Sequence, residues 1–304
     1  MLSAVTNDGI ESLIGARIAV IGDVMLDRYV YGTVNRVSPE APIAVLGISR
    51  ERTMLGGAGN VARNAAALGA DVTLVGLHGD DDAGREVEVL LADEVGLSAH
   101  MMVCADRPTS VKTRFVAANQ QLLRTDFEAD GDVTEATAND LLASALAAVD
   151  QADAVILSDY AKGVLDRRLI DAVIERAVRR TVPVIADPKS LDFAFYRGAG
   201  VLTPNRAELQ AATQMEVASN DQTVAAARHV IDHCGIEAVL ATRGSDGMSL
   251  VRAHEEPLHI PTSAREVFDV SGAGDTVVAA LATALGAGLK LDEAVALANL
   301  AAGI

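Results

Sequence analysis

AVILSD (residues 154–159) is followed by RRLIDAVIERAVRR (167–180) and then by PVIADP (183–188). The first of these is apolar over four consecutive positions and has no polar face to give to water. A strand of that kind is buried on both sides. The segment after it carries a helical pattern, and the third is again a short apolar run. Strand, helix and strand in this order imply parallel pairing through a crossover helix. The same alternation extends upstream through RIAVIGD (17–23), GNVARNAAALG (59–69), VTLVGL (72–77) and DDAGREVEVLLADEVG (81–96). The expected fold class is therefore α/β: a mainly parallel central sheet flanked by helices, in three Rossmann-like layers.

Two stretches break the alternation. Residues 28–48 (RYVYGTVNRVSPEAPIAVLGI) and 100–125 (HMMVCADRPTSVKTRFVAANQQLLRT) read as short strands and turns without a helix, and Asn119-Gln120 reads as a hairpin turn. Together they predict a small β-sheet lid over the carboxyl ends of the core strands, where open α/β sheets bind ligands. The expected organisation is one domain over residues 1–304, with this lid as its only excursion.

Bulk properties narrow the function. The 304 residues are half hydrophobic, lack tryptophan and carry a formal charge of −17. That charge speaks against nucleic acid or an anionic membrane as a partner, and any anionic substrate must be met by local cations. Cys104 and Cys234 have no metal-site spacing and read as buried free thiols. Asp8 and Glu11 stand where a signal peptide would be basic and then apolar, so a cytoplasmic protein is expected. The run VVAALATALGAGL is too short to span a bilayer.

Four glycine-rich or polar turns carry the chemistry. In FDVSGAGDT (268–276) a Gly-Ala-Gly turn feeds a small-residue helix, a place where clustered backbone N–H groups favour an anion. Asp275 puts a carboxylate there, either as a helix cap or as a proton acceptor. In LGGAGNVARNAAALGA (55–70), Gly57-x-Gly59-x-x-Ala62 with Asp80 downstream fits the dinucleotide fingerprint. The preceding SRERTML is polar rather than a core strand, which favours close substrate approach with Asn60 as an amide ligand. In TPNRAEL (203–209), Asn205 and Glu208 share the face of a helix's first turn, which suits Mg²⁺ held through its waters or is a plain helix start. TRGSDGM (242–248) follows the apolar strand EAVLA, and is a diphosphate-holding loop or an ordinary hairpin. There is no P-loop pattern. His229 and His233 have helical metal-pair spacing without a third ligand, and read as a solvated face.

Taken in order, GGAGNVARNAAALG, TPNRAEL, TRGSDG and the GAGD turn resemble the ribokinase-like carbohydrate kinases of phosphofructokinase-B type over nearly the whole chain. Within that family, residues 22–46 and 187–205 are similar to the bacterial D-glycero-β-D-manno-heptose 7-phosphate kinases. The resemblance implies ATP-dependent phosphorylation of the anomeric hydroxyl, giving the 1,7-bisphosphate used in the lipopolysaccharide inner core. It implies Asp275 as catalytic base and Gly272, Ala273 and Gly274 as the anion hole. Asn205, Arg206, Ala207 and Glu208, with Thr242, Gly244 and Gly247, match the motifs that position ATP and, through water, Mg²⁺. Asp23, Gly56, Gly57 and Asn60 match sugar-gripping positions. Lys112, Arg114 and Arg124 on the lid are either candidates for the 7-phosphate or solvent-facing edge charges that discourage sheet aggregation, with Lys189 as a further phosphate contact and Asp27 and Arg28 near the sugar.

Val270 departs from the wider family's DTxGAGD but agrees with the heptose kinases. The chain ends at ANLAAGI, inside a helical pattern, where relatives continue with a segment closing the adenine pocket; the expectation is either that the sequence is cut short there or that this side of the pocket is incomplete. No nucleotidyltransferase module follows in this sequence, unlike in the fused bifunctional relatives. A monovalent cation is a further cofactor the resemblance allows, and a homodimer through the lid is expected. Other sugar or nucleoside kinases of this fold, a non-catalytic sugar sensor and a nicotinamide enzyme remain as alternatives.

Overall fold

A computed structural model of the chain describes residues 13–118, 120–128, 133–262 and 272–303. The first half runs β1 (Arg17–Gly22), β2 (Val24–Val37), β3 (Ala44–Gly57), α1 (Ala58–Ala67), β4 (Asp71–Gly79), α2 (Asp82–Ala92), β5 (Leu97–Cys104), β6 (Val111–Ala117) and β7 (Gln120–Phe127). The second half runs α3 (Glu135–Gln151), β8 (Ala154–Ser158), α4 (Arg167–Arg179), β9 (Val184–Asp187), β10 (Val201–Leu202), α5 (Arg206–Thr213) and α6 (Asn220–Cys234). It closes with β11 (Ala238–Thr242), β12 (Met248–Arg252), β13 (Leu258–Ile260), α7 (Ala273–Gly286) and α8 (Leu291–Ala301).

Nine strands form the main sheet in the order β13-β12-β11-β10-β9-β8-β1-β4-β5. Pairing is parallel from β5 to β11, and β12 and β13 add antiparallel. The apolar strands divide their side chains between two cores, as period-two alternation requires. Ile18, Val20 and Ile156 pack with α1, α7 and α8 on one face. Ala19, Ile21, Val155 and Leu157 pack with α3, α4 and α6 on the other. Ile156 and Leu157 are both fully buried, and each side chain of this size contributes roughly 1.5–3 kcal/mol.

β1 lies between β4 and β8, and the chain fills one side of β1 before it crosses to the other. The carboxyl ends of β1 and β8 therefore flank the switch point at which open α/β sheets accept ligands. Asp23 and Asp159 follow these two strands directly.

The second sheet has the order β3-β2-β6-β7, with a parallel pair β2-β6 between two antiparallel hairpins. Its limits differ from the sequence reading. Residues 100–104 belong to β5 and pair with β4 in the main sheet. The small sheet takes 24–37, 44–57, 111–117 and 120–127 instead. SRERTML is part of β3: its outer residues face water on a sheet rim, so its polarity does not exclude a strand. Asn119 of the expected hairpin turn lies outside the described residues, although β6 and β7 do pair antiparallel.

Candidate active site

β3 ends at Gly57, which caps α1 with φ +58°; a Cβ there would stand 2.4 Å from the carbonyl oxygen of Asp23. The tight turn lets the Ala58 N–H donate to the Asp23 carbonyl oxygen at 2.9 Å and aims the first turn of α1 at the switch point. Asn60 stands in that turn. Across from it, Gly272 precedes α7 as its N-terminal cap residue, and its φ of +87° is left-handed and suits glycine. Residues 263–271, including Val270 and the start of the FDVSGAGDT stretch, lie outside the described residues.

Asp275 is in the first turn of α7, yet its carboxylate does not cap the helix; no side chain caps that end. It reaches two other elements. Asn60 Nδ2 donates to Asp275 Oδ2 at 2.5 Å, and the Tyr160 hydroxyl donates to Oδ1 at 2.5 Å. Arg63 donates to Asn60 Oδ1 at 2.6 Å. An arginine can only donate, so this bond fixes the amide with its nitrogen toward Asp275. Burial pushes the Asp275 carboxyl above the ordinary aspartate value of 3.8; the bonds from Tyr160 and Asn60 oppose the shift, Asp27 adds to it and Lys112 reduces it. A buried carboxylate held by two neutral donors, with its proton affinity raised, can accept a proton from a group in the cleft.

Asp275, Gly272 and Ala273 line a cleft of about 390 Å³. The opposite wall is the small sheet, from which Met25, Asp27, Tyr29, Met54, Lys112 and Arg114 enter the same space. Asp27 and Arg114 form a 2.7 Å ion pair, and the guanidinium sits 5.1 Å from the Tyr29 ring centroid. The Lys112 ammonium lies 5.5 Å from the Tyr160 ring centroid, and among the described residues no carboxylate comes within ion-pair distance of it. Desolvation lowers its pKa below the ordinary 10.5. Lys112, Arg63 and Arg114 give the cleft a local cationic wall in a chain of net charge −17.

Several predicted residues stand elsewhere. Asp23 is 1% exposed, and its carboxylate accepts N–H bonds from Tyr160, Lys162 and Val164 at 2.8–3.0 Å. It is committed to backbone and does not line the cleft. Gly56 also lies behind the wall, where a Cβ would meet Asp27 Oδ2 at 2.8 Å. Arg124 is exposed and forms a two-pronged bond with Asp126 at 2.9 Å; its partner in the β6–β7 register, Arg114, enters the cleft and Arg124 does not. Arg28 points to the far face of the small sheet and pairs with Glu86 at 3.1 Å. Lys189 lies 3.5 Å from Glu208, beside the second group of motifs rather than the cleft.

That second group is brought together by the main sheet. Thr242 N–H donates to the Pro204 carbonyl at 3.0 Å, and Asn205 bridges to Thr242 in parallel fashion. TPNRAEL and TRGSDGM thus form one edge at the carboxyl ends of β10 and β11. Asn205 Oδ1 accepts from Glu208 N–H and Glu208 Oε2 accepts from Asn205 N–H, both at 2.9 Å, a reciprocal capping box. The helix-start reading of this motif is therefore satisfied in full, with Glu208 Oε1 left toward Lys189. Arg206 pairs with Asp246 at 2.5 Å across the edge, and Ala207 is exposed on α5. Gly244 and Gly247 bound a single 3-10 turn between β11 and β12, so the hairpin reading also holds.

Residues 16–304 match the family model described as pfkB family carbohydrate kinase. The chain belongs to this family of carbohydrate kinases. This pfkB kinase is 53% identical over 295 residues to the bifunctional protein HldE of Paramagnetospirillum magneticum, covering 97% of this chain and 60% of that one. It is 50% identical to the protein of the same name from Rhodospirillum rubrum, with the same two coverages. The chain thus spans about 60% of the length of these relatives. Among solved structures, Arabidopsis thaliana ribokinase complexed with ribose and ATP superposes with a TM-score of 0.75 at 23% identity, over 95% of this chain and 92% of that one. Escherichia coli phosphofructokinase-2 in complex with fructose-6-phosphate gives 0.77 at 21%, over 95% and 93%. The last two similarities establish the ribokinase-like fold.

Tyr160, Arg63 and Asp187 belong to the surroundings of Asp275 in this pfkB kinase and were not singled out from sequence. Tyr160 follows the buried strand AVILS at the switch point, and that position was the available signal. Asp187 ends β9, accepts the Thr203 hydroxyl at 2.9 Å and has its carboxyl pushed up to about 8 by burial, with Asp275, Glu208 and Asp159 adding to the shift. His229 and His233 stack at 4.1 Å between ring centroids, and no metal-binding cluster occurs among the described residues. No helix among those residues is long and apolar enough to cross a membrane.

Proposed function

We infer that this chain phosphorylates D-glycero-β-D-manno-heptose 7-phosphate at O1, with ATP as donor, in the cytoplasm. The observation that carries the reading is the cleft: a held carboxylate at the glycine-rich start of α7 shares it with Lys112 and Arg114 from the small sheet and Arg63 from α1. An enzyme for an unphosphorylated sugar would not need these cations. The choice of heptose rests on the resemblance carried by residues 22–46 and 187–205, and the first of these segments builds β2 and the first three residues of β3.

In this reading Asp275 accepts the proton of the anomeric hydroxyl as O1 attacks the γ-phosphorus. The bond from that phosphorus to the bridging oxygen breaks, and ADP leaves with the electron pair. Phosphoryl transfer asks the protein for alignment and charge stabilisation rather than covalent chemistry. The N–H groups at the start of α7, around Gly272 to Gly274, lack intrahelical acceptors and point at the developing negative charge. An anomeric hydroxyl is more acidic than an ordinary alcohol, so a carboxylate suffices as its base.

Mg²⁺ would neutralise phosphate charge when bound. Asp187 and Glu208 at the β9–α5 edge, with Asp159 after β8 close by, gather hard carboxyl oxygens that fit such an ion, and Asn205 and Glu208 would hold it through water. Lys112, which among the described residues has no carboxylate within ion-pair distance, is assigned to the 7-phosphate, with Arg63 and Arg114 lining the same cleft. Asp27 is placed to orient Arg114 and a sugar hydroxyl.

ADP release with Mg²⁺ and ATP, compared among heptose 7-phosphate, ribose, adenosine and fructose 1-phosphate, tests the assignment. Strong preference for the heptose supports it. Turnover of another acceptor keeps Asp275 as base and discards the substrate, and no turnover with any of them favours a sugar sensor. A homodimer through the small sheet fits its outer face, where Ile48, Leu123 and Phe127 are exposed in cross-strand register with Gly32, Phe115 and Val111. A monomeric mass in solution would exclude it.

A further inference from the structure

Both oxygens of the proposed base are already bonded by neutral donors, and the two donors are held differently. Asn60 is set by Arg63 within its own helix. Tyr160 is set by a loop clamp that starts at the other strand of the switch point. Its own N–H and that of Lys162 donate to Asp23 Oδ2 at 2.8 and 3.0 Å, and Val164 N–H donates to Oδ1 at 3.0 Å. Asp23 is fully enclosed, so the clamp has little freedom. From outside, Arg107 donates to the Lys162 carbonyl, and the Lys162 ammonium pairs with Glu128 at 2.8 Å. Lys112 covers the Tyr160 ring.

We propose that Tyr160 is a positioning residue for phosphoryl transfer: clamped through Asp23, its hydroxyl fixes the orientation of Asp275 and keeps that carboxylate ready to accept a proton. The proposal rests on the reading of Asp275 as base. Burial and the nearby Asp275 charge raise the Tyr160 pKa well above its ordinary value, so the hydroxyl keeps its proton and is the donor in its bond to Asp275. A carboxylate oxygen has two acceptor directions, so Oδ1 can hold Tyr160 and still meet a substrate hydroxyl. A donated hydrogen bond favours the charged carboxylate. Other charged groups facing Asp275 are Asp27 from β2, Lys112 and Arg114 from β6, Arg63 from α1 and Asp187 from β9, and none of them is removed by changing Tyr160. The same geometry gives Asp23 a task in place of sugar binding.

The test is the pH profile of kcat and kcat/KM for the wild type and Tyr160→Phe, with Mg²⁺, ATP and the acceptor turned over fastest. The expected result is an acid limb moved to higher pH, kcat lowered roughly tenfold near neutrality with the gap narrowing in alkali, and acceptor KM within about twofold. An unmoved limb, or a raised KM with kcat retained, overturns the proposal. Incorporation of 3-fluorotyrosine at position 160 keeps every contact and strengthens the donor. It should move the limb to lower pH, and an unmoved limb again overturns the proposal even if Tyr160→Phe folds poorly. Asp275→Asn assayed alongside separates the two readings: retained turnover removes the base itself, whereas lost turnover with an unchanged Tyr160→Phe profile removes only the positioning role.

Discussion

Asn60 and Asp275 are 215 residues apart in sequence and 2.5 Å apart in the fold, where the amide of α1 donates to the carboxylate of α7. The bond joins the glycine turn after β3 to the glycine turn before α7. Each turn alone admits a structural explanation. Joined, they form a site with a carboxylate facing a cationic cleft.

Replacing Asp275 by Asn keeps its size and its place but removes the proton acceptor. We expect turnover to fall roughly a hundredfold or more while sugar-phosphate binding changes little. Single-turnover kinetics with calorimetric binding checks this; near-normal turnover would remove Asp275 from its role.

The wild-type enzyme should lose activity on acidification at a pH above the ordinary aspartate value of 3.8. Burial raises the Asp275 carboxyl in the folded state, and the base acts only when deprotonated, so the rate falls as pH drops through the raised value. A kcat/KM profile with an acid limb at or below 3.8 would contradict this.

Lys112→Met should raise the KM for a phosphorylated acceptor roughly tenfold or more and leave an unphosphorylated analogue nearly unaffected. Because desolvation lowers the lysine below 10.5, the wild-type KM should also rise with pH before the ordinary lysine range is reached. Equal effects on both acceptors would place the phosphate elsewhere.

Asp187 makes a stability prediction. Its carboxyl is at about 8 when folded and near the ordinary 3.8 when unfolded, so between these values the folded state holds the extra proton. Stability therefore declines as pH rises from about 4 to about 8. In EDTA, Asp187→Asn should show a smaller fall in Tm from pH 5 to pH 8.5 than the wild type. An equal fall would mean that the carboxyl is not raised.

Gly57→Ala tests the turn that aims α1. A side chain at φ +58° is strained, and its Cβ would stand 2.4 Å from the Asp23 carbonyl oxygen. A loss of about 2 kcal/mol or more in urea unfolding is expected, and an unchanged midpoint would mean that the turn can shift at little cost.

Apolar runs and their spacing determined, without further help, that this is a parallel α/β protein, because a strand such as AVILS can be satisfied only between two layers. The glycine turns and Asp275 were equally legible, since few residue types fit such turns. Tertiary structure decided which charges face the cleft. Lys112, Arg114, Arg124 and Lys189 are all cations to a sequence reader, yet Arg124 turns to Asp126 and Lys189 to Glu208, while Arg114 is paired with Asp27 inside the cleft. Asp23 reads as a ligand for sugar until three backbone N–H groups are seen to occupy it. Tyr160 carries no motif of its own. The physical reason is common to these cases: local sequence fixes backbone conformation and burial, whereas the partner of a polar side chain depends on which distant strands the sheet order brings together.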